Sequence, residues 1–304
     1  MIPTRTSCGA APAARVALAA LLALAFAVTP AAAQVDSVVP GKLSFSGGRL
    51  ELFPGTDVFA PYLADPHRPT NSAGVQYYTS TGIDSASSQR SWLAAGGRFG
   101  LLRVNPGTPG GRYWQLSIEA GLDAGYDLGN DLDNLGYDGN YGFTFTTAGA
   151  GPLEGKLGIL HTSSHVGDEW IREAGRQRIG YTREEVALGL AGRISGRLRL
   201  YGEAGYAYHQ NSELQRPWRV QAGGEAEWPG TVAGGLLGFY AAADFQTWEE
   251  RDWRLDSVVE TGLLAHSGTR RWRFGVRYSD GRGPLGEYFQ DTERWFTVGL
   301  WVDL

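Results

Sequence analysis

The sequence predicts a transmembrane, antiparallel, up-and-down β-barrel of about 12 strands. Three observations predict it. Apolar and polar residues alternate with period two over long segments. The connections between those segments alternate between short and long. An export signal stands at the N-terminus, and no later apolar run is long enough for a spanning helix.

The signal comes first. Arg5 and Arg15 supply a positive start, residues 16–28 form a short run rich in Ala and Leu, and Ala31-Ala32-Ala33 offers a small-residue cleavage site before Gln34. That order is a secretory signal peptide over residues 1–33, with an apolar run below the ~20 residues that span a bilayer. Its removal takes two Arg and no acid, so the net charge moves from −5 to −7. The only cysteine, Cys8, leaves with it. With no disulfide available, stability must come from the fold. The mild acidity argues against a nucleic-acid binder, which would carry a basic stripe. The expected destination is the bacterial outer membrane, after secretion to the periplasm.

Residues 34–71 are expected to form an N-terminal periplasmic arm or plug. Pro54, Pro61, Pro66 and Pro69 argue against a regular strand there. Of the roles open to this arm, an ordered lead-in strapped to the barrel rim is favoured over a plug or a segment that docks a partner.

Residues 72–304 carry the barrel pattern. Twelve segments alternate: 73–80, 93–104, 112–124, 138–149, 153–165, 182–193, 197–209, 217–228, 236–248, 253–265, 270–280 and 293–304. In the clearest, Trp218, Val220, Ala222, Gly224, Ala226 and Trp228 share one face, and Arg219, Gln221, Gly223, Glu225 and Glu227 the other. Most segments reach ten residues or more, whereas strands of soluble proteins average about 5–6 and membrane barrel strands need about 9–11. At ~3.3 Å per residue and a tilt near 45°, Trp218 and Trp228 are ~23 Å apart along the membrane normal. The apolar band of such barrels is ~25 Å tall, which makes these two Trp girdle residues at its edges. A soluble β-sandwich would alternate as well, but twelve strands of this length disfavour it.

With a periplasmic N-terminus, connections 105–111, 149–152, 194–196, 229–235 and 266–269 are the short turns. Connections 81–92, 126–137, 166–181, 210–216, 249–252 and 279–292 face outward, and all but 249–252 fit the longer class. The inner face carries both signs of charge: Arg98, Glu119, Arg199, Glu203, Arg219, Glu225, Glu227, Asp244, Arg254, Glu260, Arg273 and Arg277. A water-filled pore or an interior filled with paired charges and Tyr would both use them. The strand number favours the filled interior, since wide channels belong to ~16–18 strands. At the C-terminus, Phe296, Val298, Leu300, Val302 and Leu304 alternate to the last residue. This resembles the terminal strand signature read by the outer-membrane assembly machinery, with Leu304 where an aromatic usually stands, and implies that machinery as a partner.

One segment could carry chemistry: His161-Thr162-Ser163-Ser164-His165-Val166-Gly167-Asp168-Glu169. His161 and Ser163 share the parity of Leu157 and Ile159, so they face lipid near the outer rim. A polar pair there is costly unless it lies in the interface or works on lipid. A Ser beside a His can serve as nucleophile and base when a third group orients the imidazole. In the other reading, His161, Ser163 and His165 form a hydrogen-bonded rim cluster that closes the loop 166–181. A zinc ion shared by His161 and His165 is disfavoured by their ~13 Å extended separation. Asp168 and Glu169 offer the oxygen ligands that calcium prefers, so calcium is the one cofactor considered.

The His161-x-Ser163 spacing resembles the active strand of outer-membrane phospholipase A, a twelve-stranded barrel with an outward His-x-Ser pair; the lipid A deacylase of outer membranes has a similar pair. The resemblance implies Ser163 as nucleophile and His161 as base. Both families place Asn directly after the Ser, where Ser164 stands here. The phospholipase orients its His with an Asn on the next strand, and no Asn lies between His165 and Gly192. Glu184, Glu185, Glu173 or Asp168 would take that place. More broadly, the runs from Phe59 to Pro69, His161 to Glu169, Tyr201 to Tyr206 and Tyr278 to Gln290 resemble a bacterial family known only as a domain of unknown function. The default expectation is an outer-membrane barrel with a structural, binding or narrow-transport task. The alternative is an outer-leaflet lipid or acyl-ester hydrolase, with outer-membrane lipids as its partners.

Overall fold

Alternating side chains with frequent β-branched and aromatic residues favour extended backbone, and twelve such segments make a closed wall. The computed structural model describes residues 42–45 and 48–303; the signal segment 1–33, the cleavage site before Gln34 and Leu304 lie outside them. The wall begins with β3 (Asn71–Ser80), β4 (Gln89–Pro106), β5 (Tyr113–Asp127), β6 (Asp133–Ala148), β7 (Leu153–Val166) and β8 (Thr182–Arg193). It continues with β9 (Leu198–Gln210), β10 (Trp218–Val232), β11 (Leu237–Trp248), β12 (Leu255–Ser267), β13 (Arg270–Arg282) and β14 (Thr292–Asp303). Each strand pairs antiparallel with its sequence neighbours, and β14 returns to β3 from Val302↔Asn71 to Arg294↔Ser80. Closure leaves no barrel edge unpaired. Before the wall, β1 (Lys42–Phe45) and β2 (Gly48–Leu52) form a hairpin whose second strand pairs with β4 at Leu102 to Pro106.

The two faces of the wall are inverted relative to a soluble protein. Leu157, Ile159, Leu188, Leu190 and Phe274 point outward and are 44–62% exposed. Lys156, Glu185, Arg199, Glu260 and Arg273 point inward and are buried. No helix among the described residues is long and apolar enough to cross a membrane.

The interior is occupied along its middle by chain and paired charges. Residues 53–70 do not run along the rim; they enter the lumen, where their free backbone groups meet wall side chains. The Leu63 N–H donates to Glu225 at 2.8 Å, and the carbonyls of Phe59 and Ala60 accept from Arg98 and Arg199 at 3.1 and 2.9 Å. Tyr62 stacks on Tyr201 with ring centroids 3.8 Å apart. A Pro-rich segment cannot satisfy its backbone in a sheet, and the charged lumen supplies the partners instead. Around it the wall charges pair: Arg98 with Glu119 at 2.8 Å, Arg219 with Glu203 at 2.8 Å, Arg277 with Glu260 at 2.6 Å, and Arg273 with Glu260. Arg254 departs from the expected inner face. It is exposed in the connection after β11, whose 3-10 turn (Glu249–Arg251) ends the alternation before it.

The long connections fold over one mouth. Ile83, Leu135, Val166, Trp170, Leu285 and Tyr288 form an apolar cap there. The Glu287 carboxylate locks it, accepting from the backbone N–H groups of Ile179, Gly180 and Tyr181 at 2.7, 2.7 and 3.1 Å. Burial pushes the Tyr181 phenol up to about 12, which keeps it a donor to Glu250 at 3.2 Å.

Candidate functional site

β7 rises along the wall toward the capped mouth. Its outward residues change from Leu157 and Ile159 to His161, Ser163 and His165 as it nears that end. Strand alternation sends Thr162 and Ser164 inward, where the Thr162 hydroxyl donates to Asn140 and the Ser164 hydroxyl accepts from the Glu287 N–H, both at 2.8 Å.

The register places Glu184 of β8 directly across from His161. His161 Nδ1 lies 2.6 Å from Glu184 Oε1. An ionised carboxylate only accepts, so Nδ1 carries the hydrogen and donates it, which leaves the Nε2 lone pair of the neutral ring free. Next to Glu184 in the β8–β9 pairing stands Tyr208, outward and exposed. An irregularity in the β8–β9 pairing between Glu184 and Glu185 brings Tyr208 into this position. On the other side, β6 sets Tyr141 across from His161, with the rings stacked at 4.3 Å between centroids. The imidazole is therefore held by a hydrogen bond on one edge and a ring on one face.

Ser163 follows two residues on, half-buried, across from Gly139 of β6 and Thr182 of β8. Among the described residues, His161 hydrogen-bonds to Glu184 and not to Ser163. His165 is exposed and stacks on Tyr137 at 4.9 Å, so the two His and Ser163 do not form one hydrogen-bonded cluster.

The remaining predicted residues lie elsewhere. Glu185 cannot orient His161: its parity sends it into the lumen, where it binds Arg183 at 2.7 Å and Arg219. Asp168 opens the one-turn helix α1 (Asp168–Glu173), pairs with Arg178 at 3.0 Å and is exposed. Glu169 stands 3.7 Å from Arg172. No group of three or more His, Cys, Asp or Glu that could hold a metal ion occurs among the described residues. Trp218 is outward, 47% exposed, with its ring edge-on to Tyr206 at 4.9 Å. Trp228 is half-buried at the opposite end of β10, across from Phe239. Tyr137, Gly139, Tyr141 and Tyr208 escaped the sequence reading, because only the register between strands brings them to Ser163 and His161.

The chain belongs to the family described as "Protein of unknown function (DUF1207)", whose model matches residues 20–303. No curated protein matches it. Among solved structures it is similar to outer membrane phospholipase A from Escherichia coli, at 13% identity and a TM-score of 0.47 over 77% of this chain and 92% of that one. The outer membrane phospholipase dimer with bound calcium from Salmonella typhi matches at 13% and 0.47 over 81% and 95%. OmpT of Vibrio cholerae matches at 10% and 0.35 over 86% and 99%. The likeness is one of barrel architecture.

Proposed function

We propose that this DUF1207 member is an outer-membrane serine hydrolase that cleaves acyl esters of lipids in the outer leaflet. The observation that carries the reading is the His161–Glu184 pair, 2.6 Å apart on the lipid-facing wall beside Ser163. The outward apolar wall supports placement in a bilayer, where every strand is paired and only closed barrels or helices survive. Polar residues exposed on such a wall are costly, so a carboxylate, an imidazole and a hydroxyl gathered there call for a task. The filled lumen supports a task on the wall rather than a conduit.

Chemically, Ser163 Oγ attacks the ester carbonyl carbon while His161 Nε2 takes the hydroxyl proton. Rotation about the Ser163 Cα–Cβ bond as substrate arrives brings Oγ toward Nε2, as catalytic hydrogen bonds tighten in the complex. The Glu184 carboxylate holds the ring tautomer and stabilises the imidazolium that forms. The carbon–oxygen bond to the alcohol then breaks, the imidazolium returns its proton to the leaving oxygen, and water repeats the sequence on the acyl-serine.

Purified full-length protein in detergent, given long-chain acyl esters with and without calcium, tests this. Ester hydrolysis is expected from the wild type and is lost in Ser163→Ala and His161→Ala. Equal activity in wild type and Ser163→Ala would remove the proposal.

A further inference from the structure

We propose that Gly139 is the specificity-determining residue of this site: it leaves the notch through which a straight-chain acyl ester reaches Ser163. The inference rests on the hydrolase reading and deepens it.

Three successive outward rungs join β6 to β7: Tyr137↔His165, Gly139↔Ser163 and Tyr141↔His161. The two flanking rungs are filled by stacked rings at 4.9 and 4.3 Å. The middle rung is open on the β6 side. A Cβ built on Gly139 would stand 3.5 Å from Ser163 Oγ, and no other side chain comes nearer. Reacting atoms in a productive complex are ~3–3.5 Å apart. The space this glycine leaves empty is therefore within attacking distance of Ser163 for an ester carbonyl carbon.

Packing does not account for the glycine. At Gly136 and Gly142 of the same strand, a Cβ would meet backbone oxygens at 2.3 and 2.4 Å, so those positions need glycine. Gly139 has no such conflict, and its φ is not in the left-handed region. An outward, half-buried strand position without a packing reason to be glycine normally gains from a side chain. What occupies the notch follows from its surroundings. Below it, Ile159, Phe143, Leu157 and Phe145 form an apolar ladder, each 44–53% exposed on the outer wall. Above it stand His165 and Tyr137, both exposed. A substrate with one apolar chain below its ester and a polar group above matches that order. A branch at the carbon next to the carbonyl would have to stand against one of the two flanking rungs, so straight chains are favoured.

The test compares Gly139→Ala with Gly192→Ala, an outward glycine of β8 that also has 3.5 Å of clearance. Full-length proteins in detergent are first checked for the heat-dependent gel mobility of a folded barrel. For straight-chain esters, kcat/KM is expected to fall at least tenfold in Gly139→Ala and to stay within twofold in Gly192→Ala. Wild type is expected to prefer straight over α-branched acyl esters by at least tenfold, a measurement that stands even if Gly139→Ala fails to fold. Fatty acid release from phosphatidylethanolamine vesicles or from lipopolysaccharide identifies which lipid carries the ester. A Ser163→Ala protein without activity beside a fully active Gly139→Ala, or equal rates on straight and branched esters, would overturn the notch and leave the hydrolase reading intact. Undiminished activity in Ser163→Ala would overturn both.

Discussion

Replacing Glu184 by Ala removes the one hydrogen-bond partner that the His161 ring has among the described residues. The contact is a charge-assisted bond of 2.6 Å, with side chains 15% exposed at His161 and 28% exposed at Glu184. Such bonds contribute about 1.5–3 kcal/mol, and partial solvent access places this one toward the lower end. With a tenfold rate change per ~1.4 kcal/mol, kcat should fall about 10- to 100-fold. KM should change little, because Glu184 meets the imidazole and not the ester. Glu184→Gln keeps an oxygen acceptor at the same place and should recover part of the loss. In a Ser163→Ala background the same substitution should cost nothing further, since residues acting as one unit are not additive. Folding should be untouched, as Glu184 lies on the outer wall and outside the luminal ion pairs. Steady-state kinetics of the four variants on one long-chain ester supplies every quantity needed. A kcat for Glu184→Ala within twofold of wild type would refute the role given to this pair.

Other outcomes follow from the interior and the mouth. Glu287→Ala leaves the N–H groups of Ile179, Gly180 and Tyr181 without their acceptor, a loss of about 3 kcal/mol; their hydrogen exchange should speed up ~100-fold, and unchanged exchange would contradict a cap locked by Glu287. Tyr62→Ala empties the stack on Tyr201 and should lower stability by about 3–5 kcal/mol, read as a lower temperature for the gel-mobility transition. Wild-type protein inserted in a planar bilayer should stay electrically silent, because residues 53–70 and the cap occupy the lumen and its mouth; stable ohmic steps would show otherwise.

The wall was legible because a period of two marks both the existence of each strand and the face of each side chain. From Leu198 to Gln210, for example, one parity carries Leu200 and Tyr206 outward and the other carries Arg199 and Glu203 inward. The hairpin at Lys42 to Leu52 was not legible, since strands of four and five residues give too few alternations. Nor was the course of residues 53–70, which is set by partners such as Glu225 and Tyr201 more than 130 residues away. At the site, parity alone separates Glu184, which shares a face with Val186 and Leu188, from Glu185, which does not. Parity does not say which residue of β8 lies across from His161; that depends on register, fixed by the whole strand pair. Tyr208 was harder still, because it comes beside Glu184 only through an irregularity in pairing.

If the hydrolase reading holds, the Ser163 hydroxyl on the outward wall is an activated nucleophile. Treating the folded, full-length barrel with a long-chain fluorophosphonate and mapping the product by mass spectrometry tests it most directly. One adduct per chain, on the peptide carrying Ser163 and absent from His161→Ala, is the predicted result. An unmodified Ser163 in folded protein, or equal labelling with His161 removed, would contradict it.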